Sequence, residues 1–263
     1  MVGRPSSPPL QIDKAPDRIA GMFDAIAARY DLLNRLLSGG LDRIWRVRAV
    51  NALELSGTQT VLDLCTGTAD IAIAAALRPG GAHRVVAIDF SSEMLRRGYA
   101  KLRTHELRRR VRLIRGDATC VPMAGDSVDA VTIGFGIRNV SEPTKALDEI
   151  YRVLRTGGRF AILEFGEPTP RMLRMVYSWY FQHVLPWVGR ALSGHESAYN
   201  YLPSSVGLFH GPPAFCELLQ MSGFSEIRAV PLSFGIVYLY VGIKESEFDR
   251  DTANAGDEAA IIN

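Results

Sequence analysis

The chain has 263 residues, 47% of them hydrophobic, with three cysteines and a formal net charge of +2. That length suits one large α/β domain with extra helices, and so small a net charge argues against a dedicated nucleic-acid binder. Cys65, Cys120 and Cys216 are odd in number and unpatterned, which fits a reducing compartment; with five scattered histidines they give no zinc spacing, so no metal is expected.

No apolar signal core opens the chain and no stretch is long and apolar enough to span a membrane, so a cytoplasmic protein is expected. Residues 1–17, rich in Pro and Ser at the start, read as a loose arm. From Arg18, Ile19, Met22, Phe23, Ile26 and Ala27 recur at helical spacing, and Tyr30 to Ser38 continues the pattern. A further helix is predicted from Leu41 to Leu53. These helices (residues 18–57) precede the first strand, so they are expected to cap the carboxyl edge of a sheet, where open α/β sheets bind ligands.

Thr60 to Leu64 reads as a buried strand, followed by the small-residue turn Cys65-Thr66-Gly67-Thr68-Ala69 and a helix over Ile71 to Leu77. The βα steps continue with strands at Arg84–Ile88, Val111–Ile114, Ala130–Ile133 and Arg159–Leu163. Helices are predicted at Ser91–His105, with Ser91 or Ser92 as cap, and at Glu142–Leu154. After an apolar, aromatic stretch from Met172 to Leu192, Gly211–Met221 reads as a helix. Phe224–Val230 and Ile236–Ile243 are expected to close the sheet as an antiparallel pair. Residues 245–263 read as a polar tail. The whole of 18–244 is one domain: a seven-stranded mixed sheet with helices on both faces and an N-terminal helical cap.

The turn after the first strand has neither the G-x-G-x-x-G of a dinucleotide fold nor the Lys-Ser/Thr pair of a P-loop. It has Asp63 at the strand end, then Gly67, and Asp89 ends the next strand. An acid in the Asp89 position reads a ribose diol by accepting its hydroxyls, and Asp63 attracts a cationic ligand. Ribose plus cation without phosphate describes S-adenosylmethionine. The pattern resembles motif I of class I methyltransferases, with Cys65 and Ala69 where two of the glycines usually stand.

Longer runs extend the likeness. Met22-Phe23-Asp24-Ala25-Ile26-Ala27, then Tyr30-Asp31 and Asn34, are joined by Gly134-Phe135-Gly136-Ile137-Arg138-Asn139-Val140, by Leu163-Glu164-Phe165-Gly166, and by Tyr199-Asn200-Tyr201-Leu202-Pro203. Together they resemble the ubiquinone/menaquinone biosynthesis C-methyltransferases over nearly the whole chain, Arg18 to Lys244. The Cys-Thr-Gly-Thr-Ala-Asp run resembles the demethylmenaquinone branch. Phe209-His210-Gly211-Pro212 departs from the family's usual Phe-Pro.

The resemblance implies C-methylation of demethylmenaquinol to menaquinol. Its alternatives are methylation of the 2-methoxy-6-polyprenyl-1,4-benzoquinol precursor of ubiquinone, a non-catalytic subunit of a quinone-synthesis complex, and, more remotely, an RNA methyltransferase. It implies donor contacts at Thr68, Asp89, Asp117 and Ala118, with Asp63 and Gly67 shaping the turn. Arg138 is the candidate to hold a developing phenolate, since arginine stays protonated and cannot serve as the base. Tyr30 or Asp31 is the candidate proton carrier, with His195 a weaker one; Asp31 alternatively caps the helix that follows it. A polyprenylated quinol partner implies peripheral contact with the inner face of the membrane. The basic stretch from Arg96 to Arg115 is a candidate surface for it, or a solvated helix face. A homodimer is left open.

Overall fold

The computed structural model describes residues 15–180, 201 and 204–245. Helices α1 (Pro16–Ile26), α2 (Tyr30–Leu37) and α3 (Leu41–Ala52) precede β1 (Thr60–Leu64). Then come α4 (Asp70–Leu77), β2 (Arg84–Asp89), α5 (Ser92–Thr104), β3 (Val111–Arg115), β4 (Val128–Gly134), α6 (Pro143–Val153) and β5 (Leu154–Phe165). After α7 (Arg171–Trp179), α8 (Pro212–Met221) leads to β6 (Ser225–Leu232) and β7 (Val237–Ile243). One sheet of seven strands runs β3-β2-β1-β4-β5-β7-β6. The first five strands are parallel and β7 is antiparallel to both its neighbours, as the strand pattern predicts.

The near-continuous apolar runs are explained by burial on both faces. Alternate residues of one strand enter different cores. Val61, Val85, Ala87 and Ala130 pack with Ala49, Val50, Ile71 and Ala75 of α3 and α4. Leu62, Leu64, Ile88 and Ile133 pack on the other face with Leu147 and Ile150 of α6 and Phe215 and Leu219 of α8. Ser91 is the N-cap of α5, its Oγ accepting from the Met94 N–H at 3.1 Å.

The expected helical cap divides in two. Helices α1 and α2 do lie over the carboxyl ends of the strands: Asp24 of α1 accepts from Ser91 Oγ and the Glu93 N–H just past β2, and Asp31 of α2 accepts from Thr68 just past β1. Helix α3 is instead a layer of the sheet. It packs on α4, β5 and β7, burying Trp45, Ala49, Val50 and Leu53. Its apolar stripe is long enough to cover strands, which α2, with Leu33 as its one buried residue, cannot do. Of the aromatic stretch, Met172–Tyr180 lies in or just after α7; Phe181–Leu192 and His195 lie outside the described residues.

Cys65 and Ala69, standing where glycines were expected, keep the backbone glycine would adopt: φ is +51° at Cys65 and +67° at Ala69. Phe135 on the adjoining β4 loop is also left-handed, at +60°. The two loops touch at Gly136, where a β-carbon would stand 2.3 Å from Cys65 Cβ. Gly136→Ala is therefore expected to cost about 1–3 kcal/mol by overpacking. Cys65→Gly in the same chain removes the clashing atoms and suits the positive φ, so it should restore most of that loss in a urea titration. Equal destabilisation of single and double variants would show that the loops do not meet this way.

Candidate active site

The strand order reverses between β1 and β4, and the loops leaving their carboxyl ends separate there. Asp63, 1% exposed, sits at this point. Its carboxylate accepts from Thr66 Oγ in the turn, from the Ala72 N–H of α4 at 3.2 Å and from Thr132 Oγ of β4 at 2.6 Å. Burial pushes its pKa up to about 6, although all three hydrogen bonds favour the ionised form. Burial also pushes the neighbouring Cys65 thiol well up, so it stays protonated at neutral pH.

Held this way, the turn offers its backbone to the next strand. Asp89 accepts from the Gly67 N–H at 2.7 Å and the Ser91 N–H at 2.8 Å, one on each carboxylate oxygen. Each oxygen keeps lone-pair capacity for a further donor. A first cavity opens beside it, lined by Gly67, Asp89, Asp117, Ala118 and Gly134 from the strand ends and roofed by Ile19, Ala20 and Phe23 of α1. Four of the six residues expected at the donor thus surround one space. A β-carbon at Gly67 would meet only the Tyr30 ring, at 4.0 Å, so the turn leaves a close approach to its backbone open on the cavity side.

The other two lie aside. Asp63 borders a smaller recess behind the turn. Thr68 is 2% exposed and its hydroxyl is spent: it donates to Asp31 Oδ1 at 2.6 Å and accepts from Lys101 Nζ at 2.8 Å. Lys101 also pairs with Asp31 at 2.7 Å and with Asp70, and Asp70 pairs with Arg46 at 3.0 Å. The side chain of Thr68 is therefore a tether for α2. So is Asp31, which faces neither cavity. Nor does Asp31 cap α2, whose N-cap is Arg29 with no side-chain cap bond.

A second cavity of about 320 Å³ lies between α2, α3 and α7 and is mainly apolar, with Leu33, Leu37, Trp45, Phe165, Leu173 and Tyr177 among its walls. Phe23, Tyr30 and Phe135 line both cavities and form the partition between them. Burial raises the Tyr30 phenol above its ordinary value, opposed by a side-chain hydrogen bond with Asn34, so the hydroxyl stays protonated.

Arg138 also reaches the second cavity. It is buried and pairs through Nη1 with Glu164 Oε1 at 2.7 Å, while donating to the Phe135 carbonyl. Glu164, fully buried, accepts as well from the backbone N–H groups of Arg138 at 3.3 Å and Phe165 at 2.9 Å. The guanidinium lies 5.2 Å from the Phe165 ring centroid, and its buried Nε has no hydrogen-bond partner. The arrangement sets a buried positive charge at the wall of an apolar space. Tyr201 donates to Asn139 Oδ1 at 3.0 Å, linking the two cavity walls.

A family model, the ubiE/COQ5 methyltransferase family, matches residues 11–244. The chain belongs to that family. It is a methyltransferase. The demethylmenaquinone methyltransferase of Thermus thermophilus is 45% identical, over 84% of this chain and 99% of the relative. The ubiquinone/menaquinone biosynthesis C-methyltransferase UbiE of a Geobacter species is 43% identical, over 87% and 97%. Among solved structures, the cyclase SpnF superposes with a TM-score of 0.63 at 16% identity, covering 88% of this chain and 96% of that one. A putative methyltransferase solved with the Haloferax volcanii Trm112 activator gives 0.60 at 20%, covering 85% and 98%. At such identities these likenesses show the fold alone, the class I methyltransferase fold.

Glu164, Lys101 and Asp24 were not anticipated as site residues. An acid inside the apolar run Phe160–Phe165 was the available signal for Glu164. Lys101 and Asp24 act through partners roughly 30–70 residues away in the chain, which no local pattern announces. Among the described residues no group of three His, Cys, Asp or Glu could hold a metal ion.

The raised pKa of Asp63 has a definite sign. The folded state holds its proton more tightly than the unfolded chain, so the contribution of Asp63 is best at low pH and declines as pH rises to about 6. The change from 3.8 to about 6 corresponds to on the order of 3 kcal/mol. Urea titrations of wild type and Asp63→Asn between pH 4 and 7 should show wild type losing ground to the variant as pH rises. A difference independent of pH would rule out the buried, ionising carboxylate.

Proposed function

We propose that this methyltransferase moves a methyl group from S-adenosylmethionine to a ring carbon of demethylmenaquinol, giving menaquinol. The observation that carries the reading is the pair of cavities meeting at Phe23, Tyr30 and Phe135, one edged by acids and backbone, the other apolar around Arg138. The names of the relatives point the same way: several are demethylmenaquinone methyltransferases, and others are named for both quinones.

The donor supplies an electrophilic methyl group on a sulfonium. In the first cavity Asp89 accepts the ribose hydroxyls with the lone pairs left by Gly67 and Ser91. Asp117 takes the adenine amino group and the Ala118 N–H the ring, roles carried over from the family resemblance. Asp63 acts through the turn, holding Gly67 in place, and Thr68 through its tether to α2.

The quinol ring lies in the second cavity against the partition. Loss of a phenolic proton makes the neighbouring ring carbon nucleophilic. That carbon forms the new C–C bond as the methyl–sulfur bond breaks, and the ring then sheds the proton from the same carbon. The guanidinium of Arg138, which lines this cavity, stabilises the phenolate oxygen by its charge, with Glu164 fixing the guanidinium. Tyr30, protonated and joined to Asn34, relays the phenolic proton by releasing its own to solvent water as it takes the quinol's. Placement of both reactants across one partition lowers the entropic barrier, by up to about 7–11 kcal/mol in well-aligned models. A polyprenyl tail keeps the acceptor in lipid, so the enzyme works in the cytoplasm as a peripheral protein at the inner face of the membrane.

Methyl transfer from labelled donor to reduced demethylmenaquinol and to reduced methoxy-benzoquinol, at equal tail length, tests the acceptor. Preference for the two-ring quinol is the expected result. Preference for the single ring assigns the ubiquinone precursor instead, and donor binding without transfer to either overturns the enzymatic reading.

Arg138→Ala alone strands a buried carboxylate, at a cost of about 3–5 kcal/mol. Arg138→Met with Glu164→Gln removes the charges together and isolates the chemistry. The double variant should keep donor affinity while kcat falls about 10²–10³-fold. Unchanged kcat in a folded double variant would remove Arg138 from the reaction.

A further inference from the structure

Three of the helices that wall the acceptor cavity, α2, α3 and α7, carry two apolar stripes, one inward and one outward. On α2, Leu33 and Leu37 face the cavity, whereas Leu32 and Leu36 are 54% and 56% exposed. On α3, Trp45 faces inward, whereas Ile44 and Val47 are 54% and 52% exposed. On α7, Leu173 and Tyr177 face inward, whereas Met172, Met175 and Trp179 are exposed. Tyr180 donates to the Leu37 carbonyl at 3.4 Å, joining the α7 side of the cavity to the α2 side. The core needs only the inward stripes, and an ordinary solvated helix face would be polar.

The charges on these helices have one sign outside. The exposed side chains of α2 and α3, besides the apolar ones, are Arg35, Arg43, Arg48 and Asn51. Their acids turn inward: Asp31 to Lys101 and Thr68, Asp42 to Ser38 and Arg46. Helix α7 adds exposed Arg171 and Arg174; the nearest acid is Glu167, 3.9 Å from Arg174. Exposed leucine, isoleucine, methionine and tryptophan rimmed by arginine match a bilayer boundary with anionic headgroups.

We infer that the outer face of α2, α3 and α7 docks on an anionic lipid surface, with the acceptor cavity directly behind it. This deepens the reading of a lipid-borne acceptor and rests on it for its purpose, though its observations are separate. Within the basic stretch from Arg96 to Arg115, the run Arg108–Arg110 is not part of this surface. Arg108–Arg110 precede β3 and so lie at the amino ends of the parallel strands, away from both cavities.

Sedimentation of the full-length protein with phosphatidylcholine vesicles, with and without phosphatidylglycerol, tests the face. Wild type should bind the anionic vesicles. Leu36→Glu with Ile44→Glu should weaken binding about tenfold or more, while leaving methyl transfer to a short-tailed, water-soluble quinol at the wild-type rate. Arg108→Glu with Arg109→Glu should bind as wild type does. Three results overturn the inference: no vesicle binding by wild type, binding unaffected by the α2–α3 changes, or binding lost only with the Arg108–Arg109 changes. If the α2–α3 changes split a dimer and leave vesicle binding intact, the face covers a second copy of the chain instead. A protein that binds vesicles through this face but methylates neither quinol overturns the assigned acceptor and leaves the docking face standing.

Discussion

The site depends on one buried carboxylate. Asp63 stands where the strand order reverses, and its three hydrogen bonds tie β1 to its own turn, to α4 and to β4. An ionised group so deep is costly, and its raised pKa is the measure of that cost. The return is a fixed turn. With Thr66 and Ala72 both bound to Asp63, the chain passes through left-handed backbone at Cys65, Gly67 and Ala69, and the Gly67 N–H points at Asp89. Strain at two non-glycine residues persists only where the surroundings overdetermine it, and here the carboxylate does so.

The helices above the strand ends are held differently. The apolar cluster beneath α2 has Leu33 as its one buried member, joined by Met22, Ile26 and Leu37. Polar links make up for it. Lys101 gathers Asp31, Thr68 and Asp70; Arg46 joins Asp70 to Asp42; Asp24 takes Ser91 and the Glu93 N–H. Part-buried ion pairs with hydrogen-bonded partners hold orientation well but contribute less than a packed core. A roof attached in this manner opens at lower free energy than the sheet beneath it. That matches its position over a cavity that an exchanging ligand must enter.

This division explains what the sequence disclosed. The strands were legible because parallel strands covered on both faces must be apolar runs, and acids that end such runs, at Asp63 and Asp89, have no packing reason to be there. Asp117, two residues beyond β3, stands out in the same way. All three lie around the strand-end crevice. Thr68 and Asp31 were harder. Each looks available for chemistry when read locally, and each is occupied by the other and by Lys101, about 30 to 70 residues away. The layer role of α3 was hidden for a similar reason: its stripe of Trp45, Ala49 and Val50 is the same whether it covers a strand edge or a sheet face. Only the partner decides, and the partners β5 and β7 come more than a hundred residues later.

The buried pair Arg138–Glu164 underlies the proposed chemistry. A buried ion pair kept only for packing is a poor device, since apolar residues of equal volume often stabilise as well or better. Where such a pair serves the fold alone, its hydrogen-bonding groups tend to be satisfied. Here Glu164 is hydrogen-bonded on both oxygens by the guanidinium and two backbone N–H groups, yet the buried Arg138 Nε is left without a partner. The deficit costs stability in the resting protein. In the proposed reaction an anion at the cavity wall would meet the guanidinium charge in low dielectric, where the gain is large. On the proposed reading a neutral quinol would make little use of that charge and a phenolate full use of it. In the proposed reaction the pair would favour the charge that develops over the substrate that enters, which is the condition for an interaction to accelerate a step.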